Sequence, residues 1–221
     1  MSHPCIVNGC GQPAKGRSNK CGAHRTALRR NGHPEQVILR VTEVDPYRTT
    51  IRRSWRRSEG SEFWKVLRAR WERELRQAAA VLSDEARGLA ISTHEADAAR
   101  ELVKLGQNVA FQELAVMALA VFVMQMERGS RFRDANAFRC QLVRRVRALD
   151  DLAYSKSWDH KRRKVRRGYK DFPPGATVVL AEHLVNAFWE GAFRLHEGGK
   201  VGPVRIAAES EVLAEAVKAL P

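Results

Sequence analysis

The stretch EFWKVLRARWERELRQAAAVL, residues 62–82, places Trp64, Leu67, Trp71, Leu75, Ala78 and Leu82 at steps of three and four. That spacing lines them along one face of an α-helix. Arg68, Glu72 and Arg76 fall on the other face with the separation of helical ion pairs. Trp64 and Trp71, seven residues apart on the apolar face, read as core rather than as base-stacking aromatics.

The same period continues downstream. Ser92 followed by Glu95 has the form of a capping box opening a second helix, which Gly106 ends or bends before an apolar segment from Val109 to Met126, closed by Gly129. Asp134 caps a fourth helix through about Leu149, with Phe138, Leu142, Val146 and Leu149 as its stripe. Pro173-Pro174-Gly175 starts a fifth, where Leu180, Leu184, Phe188, Ala192 and Leu195 recur at helical steps, and a short sixth spans Ile206 to Leu220. Met117, Met124 and Met126 read as core filler, Cys140 as a buried thiol, and His183 and His196 as structural. No internal repeat or sustained heptad is present, which argues against a solenoid or a long coiled coil. Upstream, Val37–Val44 alternates as a strand, and Asp45-Pro46 turns it toward a second extended piece at Tyr47–Ile51. The reading is therefore mainly α. Cys5, Cys10, Cys21 and His24 mark residues 1–34 as a small N-terminal zinc finger. That finger and an irregular or short-β basic linker (35–60) precede a helical domain (61–221) of about five to six helices, which carries a basic loop at 156–170.

The chain has 221 residues, 44% hydrophobic and 29% charged, enough for a real core and unlike a disordered chain. Its 39 Lys and Arg against 25 Asp and Glu give a net charge of +14, so a polyanion is the expected partner. The excess is localised. Residues 1–82 carry 17 basic against 7 acidic side chains and residues 134–170 carry 12 against 4, while the two remaining segments are slightly acidic. Two separate basic blocks suggest one binding surface assembled from both. The longest apolar run, Leu114–Met124, is 11 residues, short of the ~20 a membrane-spanning helix needs. Without a signal peptide or anchor, the expected location is the cytoplasm, associated with the nucleoid.

Cys5, Cys10, Cys21 and His24 form the pattern Cx4Cx10CxxH. Two close ligand pairs separated by a loop that doubles back are what a tetrahedral zinc site requires, and one structural Zn²⁺ is the implied cofactor. Gly9, Gly11 and Gly22 beside the cysteines supply permissive backbone. The run Arg25–Arg30 before Asn31-Gly32 reads as a short basic helix with a glycine stop. So few large apolar residues cannot fold this segment by burial, and metal binding has to supply on the order of 10 kcal/mol.

Residues 5–34, CIVNGCGQPAKGRSNKCGAHRTALRRNGHP, resemble the small treble-clef-type zinc finger at the head of phage and mobile-element proteins, including homing-type HNH endonucleases, with a pattern similar to CxxxGCxxPxxxxGxCxxHYxRxxxxG. The resemblance implies Cys5, Cys10, Cys21 and His24 as metal ligands and the basic residues after the finger as DNA contacts. Arg25 stands where the pattern has an aromatic residue, and the remaining chain carries no HNH-type spacing of histidines and asparagine, so nuclease activity does not transfer with the finger.

From Lys156 to Lys170 the chain reads KSWDHKRRKVRRGYK, with eight Lys or Arg, one Asp, and Trp158 and Tyr169 interleaved. Such a stretch neutralises phosphates, and its aromatics can stack on exposed bases. Arg52-Arg53-Ser54-Trp55-Arg56-Arg57 reads as a flexible arm able to track a backbone or enter a minor groove. The nucleic-acid contacts expected are therefore Arg17, Lys20, Arg25, Arg29 and Arg30 of the finger, Arg52, Arg53, Arg56 and Arg57 of the arm, and Lys161, Arg162, Arg163, Lys164, Arg166 and Arg167 of the second block. The reading is a zinc-dependent DNA-binding regulator or targeting subunit of a bacterial phage or mobile element, with a protein partner on its helical domain. An RNA-binding ribonucleoprotein component is one alternative. A metal-dependent nuclease using Asp150 or Asp151 with Asp159-His160-Lys161 is another; no catalytic residue is assigned, because no phosphate loop, nucleophile elbow or HExxH pair is present.

Overall fold

A helix without a polar face has to be wrapped on all sides, and the apolar run 114–124 sets the architecture in that way. The computed structural model describes residues 3–159 and 163–198; the helix expected at 206–220 lies outside them. In chain order it contains α1 (Gly22–Asn31), α2 (Val41–Ser58), α3 (Glu62–Ala86), α4 (Thr93–Asn108), α5 (Phe111–Glu127), α6 (Ala135–Arg147), β1 (Tyr154–Asp159), β2 (Lys164–Tyr169) and α7 (Pro174–His196). Every residue of α5 from Leu114 to Phe122 is buried. Helices α2, α6 and α7 surround it, while α3 and α4 pack on each other and on α7.

The caps read from the sequence are in place. Ser92 and Glu95 form the capping box of α4, the Asp134 carboxylate accepts from the Ala137 N–H at 2.6 Å, and Pro174 is the first residue of α7. Trp64, Leu67, Trp71 and Ala78 of α3 are buried, as are Leu180, Leu184, Phe188 and Ala192 of α7. Arg68, from the outward face of α3, lies over the Phe111 ring at 4.4 Å. A Cβ on Gly106 would come within 2.8 Å of the Leu75 side chain, so this glycine lets α3 and α4 approach closely before α4 ends at Asn108. His183 Nδ1 lies 2.7 Å from the buried carboxylate of Glu74, a structural pairing between α3 and α7. Cys140, Met117 and Met124 are buried as expected.

Two expectations are overturned. The short strands and turn expected at 37–51 do not form, and from Val41 on they and the flexible arm at 52–57 are replaced by one helix, α2, packed along α5. Its stripe Val44, Ile51 and Trp55 is buried, and the Trp55 and Trp64 rings lie 4.7 Å apart. Pro46 is tolerated because it sits in the second turn, where its missing N–H removes a single bond. Glu43 fastens the first turn, accepting from the Arg40 N–H at 2.7 Å and from the Arg131 guanidinium at 2.7 and 3.1 Å. The basic loop at 156–170 is instead an antiparallel hairpin, with Tyr154 opposite Tyr169, Lys156 opposite Arg167 and Trp158 opposite Val165.

Candidate metal centre

The finger folds through a handful of backbone bonds. Pro4 and Pro13 form an isolated antiparallel bridge. The Cys5 N–H donates to the Gln12 carbonyl at 3.0 Å, and the Ala14 N–H to the His3 carbonyl at 2.9 Å, closing the loop that carries Cys10. Gly9, at φ 74°, takes the left-handed conformation that returns Cys10 toward Cys5. Cys21 is the N-cap residue of α1, and His24 lies on that helix's first turn. The second ligand pair therefore sits at the start of the short basic helix that the run Arg25–Arg30 before Asn31-Gly32 suggests.

The four ligand atoms all lie within 4.8 Å of one another. Cys10 Sγ is 3.9 Å from Cys21 Sγ, and His24 Nδ1 is 3.4 Å from Cys5 Sγ and 3.3 Å from Cys21 Sγ. The edges of a tetrahedron built on metal–sulfur and metal–nitrogen bonds of ordinary length are about 3.5–3.8 Å, so the donors fit one ion. Nδ1 is the imidazole atom that faces the thiols. The Cys21 N–H donates to Cys5 Sγ at 3.3 Å. Burial pushes the Cys5 thiol up, but the N–H groups of Cys21 and Val7, with His24 and Cys10, outweigh it and bring it down to about 6. The downward shift favours the thiolate of Cys5, the form that binds metal. For Cys10 the Gln12 N–H pulls the thiol down, yet burial and the thiols of Cys21 and Cys5 leave it above its ordinary value. Three thiols and an imidazole make a closed ligand set of the structural kind, with no position left for a reacting water. This is the one cluster of three or more metal-ligating side chains among the described residues.

The basic residues fall into three places. In the finger, Arg17 and Arg25 are exposed and Lys20 is half-buried. Arg29 and Arg30 reach Asp171 at 3.3 and 2.8 Å, two residues beyond β2. Helix α1 is seated on α6: Gly32, at φ 83°, caps α1 by donating to the Leu28 carbonyl, and its own carbonyl accepts from the Asn136 amide at 2.7 Å. Finger and hairpin root thus meet at Asp171. On the hairpin, Lys156, Arg163 and Lys164 are exposed. Lys161 and Arg162 lie outside the described residues, and only the strand positions of Arg166 and Arg167 are described. The arginines of α2 stand elsewhere: Arg52 pairs with Glu113 of α5 at 2.6 Å, and Arg53, Arg56 and Arg57 are exposed on the helix packed against α5 rather than on α1 or the hairpin.

Residues outside the sequence-derived set hold the hairpin. Arg147, 5% exposed at its side chain, donates to Glu101 at 2.8 Å, to the Tyr169 hydroxyl at 2.9 Å and to the Lys170 carbonyl at 3.2 Å. Arg144 lies over the Tyr169 ring at 4.4 Å. The cluster of arginines at the end of α6 is the only trace of this anchor in the sequence.

Asp150 is buried and accepts from the Leu152 N–H at 2.8 Å and from the Asn108 amide at 3.1 Å, with Lys104 at 3.5 Å. Its carboxylate fastens the junction after α6. The Asp159 side chain, His160 and Lys161 lie outside the described residues. A cleft of about 740 Å³ among the described residues is lined by Tyr47, Ile51, Val123, Glu127, Arg128 and Leu195 among others and shares no residue with the metal cluster or the hairpin. No described helix is long and apolar enough to cross a membrane.

Compared with known proteins, no family model matches the chain, and neither curated proteins nor solved structures match it.

Proposed function

We propose that the chain is a zinc-dependent nucleic-acid-binding protein, a DNA-binding regulator or targeting subunit of a phage or other mobile element. The observation that carries this reading is the junction at Asp171. Arg29 and Arg30 of the finger helix meet the segment that follows the basic hairpin, so the two cationic blocks, far apart in the sequence, share one region of the molecule. A zinc ion held by Cys5, Cys10, Cys21 and His24 supplies folding free energy to a segment that buries almost no carbon. The chain's own residues then do the binding. Exposed Arg17 and Arg25 on the finger and Lys156, Arg163 and Lys164 on the hairpin neutralise phosphates, which sets affinity and orientation without reading bases. The net charge of +14 adds long-range attraction to a polyanion.

The test is a salt titration of duplex DNA binding by fluorescence anisotropy. Affinity should fall steeply with salt, and Arg25→Glu and Lys164→Glu should each flatten the slope of log K against log salt by about one. No duplex or RNA binding in dilute buffer, or a slope unaltered by both substitutions, would refute the reading. Folded RNA preferred over duplex at equal salt would move it to a ribonucleoprotein component.

A further inference from the structure

The hairpin carries a feature that phosphate binding does not require. Trp158 and Val165 are directly opposed in register, and both are largely solvent-exposed, at 53% and 58%. Opposed residues on an antiparallel pair share a face, and this face is also that of Tyr154 and Tyr169, whose rings pack edge to face at 5.8 Å. The two ends of the ribbon therefore have different jobs. Tyr169 is fixed to the body by Arg144 and Arg147. Trp158 lies four residues farther along, about 13 Å from that anchor. A two-stranded ribbon is not stable by itself, so the anchored tyrosine pair supports the strands while the distal tryptophan contributes no core packing.

Resting on the nucleic-acid reading above, we infer that the Trp158–Val165 pair is a stacking platform for an unpaired nucleobase, and that a single strand or an unpaired segment is the substrate of the hairpin. Charge complementarity names the partner. The apolar pair is flanked by exposed Lys156 on its own strand and face, with exposed Lys164 adjoining Val165 on the other face of the ribbon, a combination that suits a polymer of flat bases joined by phosphates and not an apolar protein surface. Exposure makes Trp158 available to a base: 53% of the residue is open to solvent, and the flat face of an unpaired base stacks on an exposed aromatic ring. Lys156, two positions along the strand, stands roughly 7 Å from Trp158 on the same face, within reach of a phosphate adjoining the stacked base.

The experiment compares the zinc-loaded full chain with Trp158→Ala and Trp158→Phe on thymidine and uridine homopolymers of about 20 nucleotides and on a duplex of equal length. Trp158→Ala should weaken homopolymer binding by about 10-fold, change duplex binding less than twofold and leave the salt slope intact, while Trp158→Phe should retain most of the affinity. Whichever homopolymer is bound more tightly identifies the strand as DNA or RNA. Wild-type binding that Trp158→Ala does not alter overturns the platform and leaves the nucleic-acid reading standing. Equal loss on homopolymer and duplex overturns it too. Failure of the wild type to bind any of the three refutes both. Unchanged helix content and bound zinc in the variants exclude misfolding as the cause of a loss, and Trp158, remote from the core, is replaceable in this respect.

Discussion

Gly32 ends α1 in the left-handed conformation, and a Cβ placed on it would fall 2.5 Å from the carbonyl oxygen of Asn136, a backbone atom that cannot swing aside. Gly32→Ala should therefore cost at least about 1–2 kcal/mol from the backbone alone, with added loss as α1 lifts from α6. Gly129→Ala, with open space around it and no left-handed backbone, should stay within about 0.5 kcal/mol. Urea midpoints of the two variants check the contrast. At Cys140, burial raises the thiol to about 11, with Asp134 adding to the shift. Native protein treated with an alkylating reagent near pH 8 should stay unmodified at Cys140, while chelation exposes the three finger cysteines to labelling; peptide mass spectrometry reads both. The ligand set was legible at this scale because tetrahedral coordination constrains spacing directly. The Arg29 and Arg30 partner was not, because Asp171 lies more than a hundred residues away and nothing local marks it.

Among the elements, α3 to α7 are legible from their helical period, with a cap or start signal added at α4, α6 and α7. Helix α2 is not legible locally because two signals, alternation at 37–44 and Asp45-Pro46, compete with a helical stripe at Val44, Tyr47, Ile51 and Trp55 that only burial on α5 makes decisive. The hairpin was missed because its strands bury tyrosines at one end and little else, so no period of two is visible. What fixes the start of α2 is Arg131. Its guanidinium holds Glu43 through two nitrogens and donates to the carbonyls of Val37 and Ile38 at 3.1 and 3.2 Å. Lysine cannot reproduce that fork, so Arg131→Lys should destabilise by about 1–3 kcal/mol despite keeping the charge. The hydrogen bond from Arg131 also holds the Glu43 carboxyl below its ordinary value, against the opposing effect of burial. A depressed folded pKa contributes stability that is fully present above the unfolded value near 4.3 and is lost as pH falls through the lower, folded value. Urea unfolding across the acid range should show this loss in the wild type, and Glu43→Gln should reduce it while costing about 1–2 kcal/mol at neutral pH.

At the scale of the molecule, the apolar core formed by the described residues begins at Leu39 and takes in none of the finger's. Residues 3–31 bury Cys5, Cys21 and Asn31 and no large aliphatic side chain, so an ion bound by the Cys5, Cys10, Cys21 and His24 group would be the chief source of the finger's folding free energy. Its ties to the body are modest. The ion pairs of Arg29 and Arg30 with Asp171 have arginines at least half exposed, a class worth about 1 kcal/mol or less each. The Gly32–Asn136 bond and the Asn31 amide to the Gln36 carbonyl, at 3.0 Å, position α1 but cannot repay the entropy of ordering some thirty residues at roughly 1–2 kcal/mol apiece. The hairpin, by contrast, is fastened to buried Arg147 and Glu101, independently of the finger. Removing the metal with a strong chelator should therefore unfold the molecule in part. Hydrogen exchange should accelerate across residues 3–31 and stay slow in α3, α5 and α7, and the body should melt within a few degrees of the metal-loaded protein. Duplex binding should persist with a shallower salt dependence, because the hairpin cations remain placed while those of the finger do not. Loss of protection in α5 on chelation would mean that the finger is part of the cooperative core, and the division of labour between the metal-folded head and the self-supporting helical body would be wrong.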